Sequence, residues 1–130
     1  MIKNNLLSPP PKASLPIIQK LIAIYKLWHE FLPHFPKTAR YTLGNKIDTF
    51  FVDVAEYIFT ASNLSKEHKL PYLEKAARKL DLLKFFLQIS WEIKTLDNKK
   101  YIILSQSLQE IGRMLGGWIR QVISSQTSAP

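Results

Sequence analysis

Residues 80–96 read LDLLKFFLQISWEIKTL, and this stretch decides the fold. On a helix that turns by about 100° per residue, it presents two apolar faces instead of one. The first face, continued towards the amino terminus, holds Leu73, Ala76, Ala77, Leu80, Leu83, Leu87 and Trp91. The second holds Leu82, Phe85, Phe86, Ile89, Ile93 and Leu96. A small monomer needs only one such face. We therefore expect one face to pack within the chain and the other against a second copy; a helix enclosed by its own bundle is the alternative.

Two more helices are predicted before this stretch. The first, at 16–32, has apolar residues at three- and four-residue steps, which are Ile18, Leu21, Tyr25, Trp28 and Leu32. Pro33 and Pro36 end it. The second begins at a Thr42 cap, ends near 62–63, and buries Leu43, Ile47, Phe50, Phe51, Val54, Ile58 and Ala61.

The central helix is predicted to start at 69–71, because Pro71 cannot lie deep in a helix, and to end near 96. Asp97 then caps a fourth helix at 98–123. Its apolar seam is Leu104, Leu108, Ile111, Leu115, Trp118 and Val122. The short link makes these two helices antiparallel neighbours. The prediction is an all-α, antiparallel four-helix bundle at 14–123, with a proline-rich flexible arm at 1–13 and a disordered tail at 124–130.

Composition excludes several classes of function. The chain has no cysteine and no run of 18 apolar residues, so disulfides, thiolate metal sites and a membrane span are not expected. The prolines near the amino terminus do not suit a signal peptide, which predicts a cytoplasmic protein. His29, His34 and His68 share no helical face as metal ligands, and the acidic residues form no catalytic pair. We expect no enzyme activity, no metal and no cofactor.

The net charge is +8, with a pI near 9.8, which points to an anionic partner. Residues 41–62 carry a net charge of −2, whereas residues 66–123 carry +5. Arg113 and Arg120 lie seven apart on one helical face, where both can contact phosphate or, alternatively, a carboxylate. The predicted nucleic-acid contacts are Lys37, Arg40, Lys46, Lys75, Arg78, Lys79, Lys84, Arg113 and Arg120. They favour salt-sensitive binding to backbone phosphate, whereas base stacking has little support because the aromatic residues fall mostly on buried faces.

The fourth helix contains GRMLGGW, with Gly112, Gly116 and Gly117. Each glycine costs about 1 kcal/mol relative to alanine inside a helix, so a reason is required. We expect another backbone to approach Gly112 and Gly116, inside the bundle or across a subunit contact. A helix that ends early at Gly116 is the alternative, although the apolar pattern continues past it. The predicted oligomer interface is Leu82, Phe85, Phe86, Ile89, Ile93, Gly112 and Gly116.

Two segments resemble a known family. LWHEFLPHFPKTARYTLGNKI at 27–47 and LDLLKFFLQISWEIKTLDNKKYIILSQSLQEIGRMLGGWI at 80–119 are similar to the accessory variability determinant (Avd) proteins of diversity-generating retroelements. These belong with the four-helix-bundle proteins of intervening sequences in large-subunit ribosomal RNA genes. The similarity covers about residues 15–123, and the combination of FPKTARYTLG with EIGRMLGGW is its most specific part.

The resemblance implies a small basic bundle, without activity of its own, that assembles as a homopentameric barrel. It implies binding to the element's reverse transcriptase and to the template-repeat RNA, in support of mutagenic cDNA synthesis; binding to DNA is left open. Where the family pattern has further arginine in residues 80–89, this chain has Lys84 and Gln88, a departure that weakens the expected phosphate contacts there. The alternative is a structural bundle protein of the ribosomal intervening-sequence type. A neighbouring reverse transcriptase gene with variable and template repeats would distinguish the two.

Overall fold

The computed structural model of the chain describes residues 15–127, and within that range the fold is all-helical, as predicted. The four long helices are α1 (Leu15–Phe31), α2 (Asn45–Ser62), α3 (Lys66–Glu92) and α4 (Asn98–Thr127). No helix within residues 15–127 has the length and apolar character to cross a membrane. The predicted arm at 1–13 and the last three residues of the predicted tail lie outside the described residues.

The connector between α1 and α2 is itself mostly helical. It contains the turns Leu32–His34 and Lys37–Ala39, followed by a π-helical segment, Arg40–Gly44, that continues into α2. The predicted Thr42 cap is therefore wrong, since the Thr42 hydroxyl donates to the Thr38 and Ala39 carbonyls inside the helical segment. Gly44 is buried here, and a Cβ on it would lie 2.7 Å from the Leu32 side chain. A side chain at this position would therefore have to displace the Leu32 side chain.

α3 begins at Lys66, earlier than the predicted start at 69–71. Pro71 lies in its second turn, where its missing N–H leaves only the Glu67 carbonyl without the usual helical partner. Ser65 precedes the helix, and its hydroxyl lies 2.8 Å from Nδ1 of His68. One lost hydrogen bond near the amino-terminal end of a long helix is tolerated, so Pro71 does not mark the first residue of α3.

α3 ends at Glu92 instead of near residue 96, and a tight turn follows. The Ser90 carbonyl accepts the backbone N–H groups of Thr95 and Leu96, at 2.8 and 3.1 Å. Lys94 in this turn has a φ of 65°, the left-handed conformation that favours glycine. The turn carries Leu96 into the core, where it is 2% exposed. Its assignment to the outer face of the central helix was therefore wrong.

The predicted Asp97 cap of α4 is confirmed, because its carboxylate accepts the Lys100 backbone N–H at 2.8 Å. That hydrogen bond is the main cause of the lowered pKa of Asp97. α4 then continues to Thr127, beyond the predicted end at 123. Residues 124–127 are therefore helical and do not belong to a disordered tail.

The helices contact one another in a cyclic order: α1 with α2, α2 with α3, α3 with α4, and α4 with α1. The core contains five of the predicted inner-face residues of α3, which are Leu73, Ala76, Leu80, Leu83 and Leu87. Trp91 was assigned to the same face but is 37% exposed, which corrects that assignment. Ser90 is buried in its place, with its hydroxyl donating to the Phe86 carbonyl at 3.0 Å.

A polar contact joins α1 to α2 inside an aromatic cluster. The Asp48 carboxylate accepts hydrogen bonds from the Tyr25 hydroxyl at 2.8 Å and from the Trp28 indole N–H at 3.1 Å. Trp28 is fully buried, stacked on Phe51 and edge-on to Phe35, with ring centres 5.8 and 5.4 Å apart. Asp48 thereby satisfies the one polar group of a buried indole.

Alkaline pH is expected to weaken this contact. Burial, reinforced by Asp48, raises the pKa of Tyr25 from 10.0 to about 12. Because the folded state favours the neutral phenol, its stabilising effect is complete below about pH 10 and is lost as the pH rises through about 12. Urea unfolding at pH 9 to 12 should show a smaller loss of stability for Tyr25→Phe than for the natural chain. Equal losses in the two proteins would contradict this assignment.

Candidate nucleic-acid interface

The predicted cationic contacts do not form one patch. Lys37 and Arg40 lie in the connector, and Arg78 is exposed on α3. The others divide between two sides of the fold. The side between α2 and α3 carries Lys46, Lys75 and Lys79, whereas the side between α3 and α4 carries Lys84, Arg113 and Arg120.

On the α2–α3 side the lysines already have partners. Lys79 lies 3.4 Å from an Asp53 carboxylate oxygen, and its Nζ lies 5.5 Å from the Phe50 ring centre. Lys46 reaches the same ring at 5.3 Å, and Lys75 lies 5.2 Å from the Tyr72 ring centre. An anionic ligand at this side would compete with these contacts.

Arg40 holds the connector together. Its guanidinium donates to the Pro33 and Phe35 carbonyls, at 3.0 and 3.2 Å. Its Nε is buried and has no hydrogen-bond partner within the described chain. The side chain thus stabilises the connector, and its role as a phosphate contact stays a prediction.

A groove runs between α3 and α4, and we call it the α3–α4 groove. One part, of about 300 Å³, is lined by Ala77, Leu80, Asp81, Lys84, Gln109, Gly112, Arg113, Leu115, Gly116 and Ile119. The adjoining part, of about 440 Å³, is lined by Asp81, Lys84, Phe85, Gln88, Tyr101, Ser105 and Gln109. The two parts share three residues, so the groove follows α4 from Tyr101 to Ile119, about 27 Å of helix. Asp81 is the one acidic residue in its lining.

Glycines form part of the groove floor. A Cβ on Gly112 would lie 3.3 Å from the Lys84 ammonium and 3.6 Å from Leu80, whereas one on Gly116 would meet only the Arg120 guanidinium, at 3.4 Å. No backbone atom from another helix of the described chain lies within 4 Å of a Cβ placed on Gly112 or Gly116. The predicted close approach of another backbone inside the bundle is therefore wrong. The alternative of an early helix end is also wrong, since α4 continues to Thr127. The predicted subunit contact at Gly112 and Gly116 stays a prediction.

The second apolar face of α3 is largely uncovered. Leu82, Phe85 and Ile93 are 41, 54 and 58% exposed, and we call these three residues the α3 ridge. Phe86 and Ile89 are half-buried, and the Phe86 ring packs 5.4 Å from that of Phe50 at the edge of the core. The alternative of a central helix enclosed by its own bundle is therefore wrong for the ridge.

Sequence reasoning missed an apolar groove between α1 and α2, here called the α1–α2 groove. It measures about 540 Å³ and is lined by Ile18, Leu21, Ile22, Tyr25, Lys26, Phe51, Val52, Ala55 and Phe59. Ile22, Val52 and Phe59 are 53, 47 and 60% exposed. Val52 and Phe59 are seven residues apart outside the predicted buried face of α2, and that spacing was the available signal.

A stacked aromatic pair, exposed Trp91 and half-buried Tyr101, lies where α3 meets α4, and it was also missed. The Trp91 and Tyr101 rings stack at 4.8 Å and are only 8° from parallel. The Trp91 indole N–H donates to the Asn98 side chain at 2.5 Å. Trp91 follows Leu83 and Leu87 at four-residue steps, so the spacing predicted that it lies in the core. Apolar spacing does not indicate where α3 ends.

Within residues 15–127, no cluster of three or more histidine, aspartate or glutamate side chains could hold a metal ion. A family model described as bAvd-like matches residues 15–122. No curated protein and no solved structure matches the chain.

Proposed function

Because the chain belongs to the bAvd-like family, we propose that it is a non-catalytic accessory protein of a diversity-generating retroelement. In this role it binds the element's reverse transcriptase and its template RNA and supports mutagenic cDNA synthesis in the cytoplasm. The family match over residues 15–122 is the observation that carries the proposal. The net charge of +8 supports an RNA partner.

The α3–α4 groove is the proposed site for RNA phosphate. Lys84 and Arg113 line it, and Arg120 lies beside Gly116 at its end. Unlike Lys79 and Arg40, Arg113 and Arg120 are exposed. The small residues in the floor leave room for a phosphate backbone close to the helix. Binding of this kind releases counterions and is sensitive to salt.

We further propose that the bundle is antiparallel and assembles into a closed homo-oligomer, with the pentamer of the resembled family as the expected state. The α3 ridge and the α1–α2 groove lie on different helices, so a ridge seated in the groove of the next copy gives a head-to-tail contact. Contacts of this kind give a ring when the rotation between neighbouring copies closes, and an open filament when it does not. Exposed Glu56 on α2 and exposed Arg78 on α3 place opposite charges beside the two surfaces.

Two observations test the proposal as a whole. The gene should have a reverse transcriptase gene and a pair of variable and template repeats as neighbours. The purified protein should also bind that reverse transcriptase in a pull-down. A gene with ribosomal RNA neighbours and no reverse transcriptase would contradict the proposal.

Changing Arg113 and Arg120 together to glutamine is expected to weaken RNA binding. The loss of two phosphate contacts should flatten the slope of log affinity against log salt by about 1.4 for a single strand. Filter binding across salt concentrations measures this, and a sizing column should show unchanged assembly. The matched control is Lys46→Gln with Lys66→Gln, which removes two exposed charges outside the α3–α4 groove and outside the proposed subunit contact.

An unchanged slope for the arginine pair, with normal assembly, would rule out the phosphate role. Gly116→Leu, measured by filter binding and on the sizing column, distinguishes the proposed RNA site at this glycine from the predicted subunit contact. A loss of RNA binding with normal assembly supports the RNA site, whereas a loss of assembly supports the predicted subunit contact.

A further inference from the structure

We propose that Trp91 and Tyr101 form a stacking platform for an unpaired base of single-stranded RNA at the end of the α3–α4 groove. The inference rests on the proposed RNA binding and adds a second kind of contact, to the base instead of the phosphate. Tyr101 lines the α3–α4 groove, and the Trp91 ring stacks on the Tyr101 ring.

The exposure of Trp91 sets it apart from the other tryptophans. Trp28 is fully buried and Trp118 is 6% exposed, whereas Trp91 is 37% exposed. Its orientation is fixed all the same, because one contact is the Tyr101 ring and another is the hydrogen bond to Asn98. A ring held in place before the ligand arrives loses little conformational freedom on binding.

The turn beside the platform is strained. Lys94 adopts a φ of 65° where glycine would be unstrained, only three residues after Trp91. Strained backbone is found preferentially at functional sites, where a side chain is needed despite its cost. Lys94 is exposed, and so is Lys99 in the first turn of α4.

The acidic groups nearby are already engaged. Asp97 accepts the Lys100 backbone N–H and lies 3.7 Å from the Lys100 ammonium. Glu92 accepts a hydrogen bond from the Gln88 amide at 2.8 Å. Within the described chain neither Lys94 nor Lys99 forms an ion pair, so both ammonium groups can attract a phosphate next to the stacked base.

These features favour single-stranded RNA over a duplex. A paired base has both faces covered by its neighbours, whereas an unpaired base can stack on an aromatic ring. The groove continues from Tyr101 to the cations Lys84 and Arg113, so phosphates of the same strand can follow it. Stacking of this kind tolerates any base, and it suits a protein that must accept a whole template.

The test uses the full chain and two probes, a single-stranded oligoadenylate and an RNA duplex of equal length. Trp91 is the one exposed indole, so the single strand should quench tryptophan fluorescence and the duplex should not. Trp91→Phe should lose the quenching. Trp91→Leu should lower the affinity for the single strand about tenfold or more, while circular dichroism and the melting temperature confirm that it folds.

Lys94→Gly provides a variant with opposite effects on folding and binding. Relief of the left-handed strain should raise the melting temperature, whereas loss of the ammonium group should lower the affinity for oligoadenylate. An unchanged affinity would remove Lys94 from the site.

The outcomes separate this inference from the proposed function. If the natural chain binds neither probe, the RNA role itself fails. If it binds with the expected salt dependence, yet fluorescence is unchanged and Trp91→Leu binds equally well, the stacking platform is overturned and the phosphate site stands. Equal quenching by the duplex would also overturn it.

Discussion

Replacing Phe85 and Ile93 together with aspartate is expected to give folded single protomers in place of the proposed homo-oligomer. Both side chains are more than half exposed in the protomer, so the charges cost little there. In the proposed contact each aspartate would be buried without a partner, which costs several kcal/mol per ion. Light scattering should show the mass of a single chain, and circular dichroism should show an unchanged helix content.

Ile102→Asp is the matched control, because Ile102 on α4 is 51% exposed and lies outside the proposed contact. It should leave assembly intact. Phe59→Asp in the α1–α2 groove should abolish assembly from the other side of the contact. Mixed in equal amounts, this variant and the Phe85/Ile93 variant retain one intact surface each.

The mixture should therefore form a dimer that cannot extend, which only a head-to-tail contact predicts. A contact of ridge on ridge would leave the mixture without such a dimer, since the Phe85/Ile93 variant would then have no intact surface. A Phe85/Ile93 variant that stays assembled would move the interface elsewhere.

Trp28→Ala is expected to lower the free energy of unfolding by about 3–5 kcal/mol. The change removes a fully buried indole that stacks on Phe51 and donates to Asp48. It leaves a cavity and deprives Asp48 of one hydrogen bond. Urea unfolding at pH 7 measures the loss.

Trp91→Ala makes the same chemical change at a position that is 37% exposed, so it should cost much less. Trp28→Phe keeps an aromatic ring but removes the indole N–H and part of the buried volume, so it should cost less than Trp28→Ala. If Trp28→Ala and Trp91→Ala were equally destabilising, burial would not explain the role of Trp28.

The helices and the core could be predicted because each helix carries a long apolar period. The inner-face residues of α3 that lie in the core as expected are Leu73, Ala76, Leu80, Leu83 and Leu87. The errors fall at helix ends. Pro71 lies one turn inside α3, and the last turn of the same helix buries Ser90 while Trp91 faces outward. An end depends on individual hydrogen bonds, such as those to the Ser90 carbonyl, and apolar periodicity does not encode them.

The candidate site was less predictable, because it depends on which side chains tertiary contacts occupy. Lys79 and Arg113 are both cationic residues on predicted helices, and the sequence gives no reason to treat them differently. In the fold Lys79 pairs with Asp53, whereas Arg113 lines the α3–α4 groove. Both grooves lie between helices, so neither exists until the helices pack. The seven-residue spacing of Val52 and Phe59 could be read from the sequence. Ile22, which lines the same groove, lies on another helix, so the sequence does not place it beside them.

The cyclic order of helix contacts has a consequence for how the chain folds. The connections at 63–65 and 93–97 are short, so α2, α3 and α4 can pair with little loss of loop entropy. α1 joins through the longer connector, and its contacts with α2 are sparse because a groove lies between them. We expect α1 to dock last and to detach first in local opening. A neighbouring copy seated in that groove would hold α1 closed, so assembly and the completion of folding would reinforce each other.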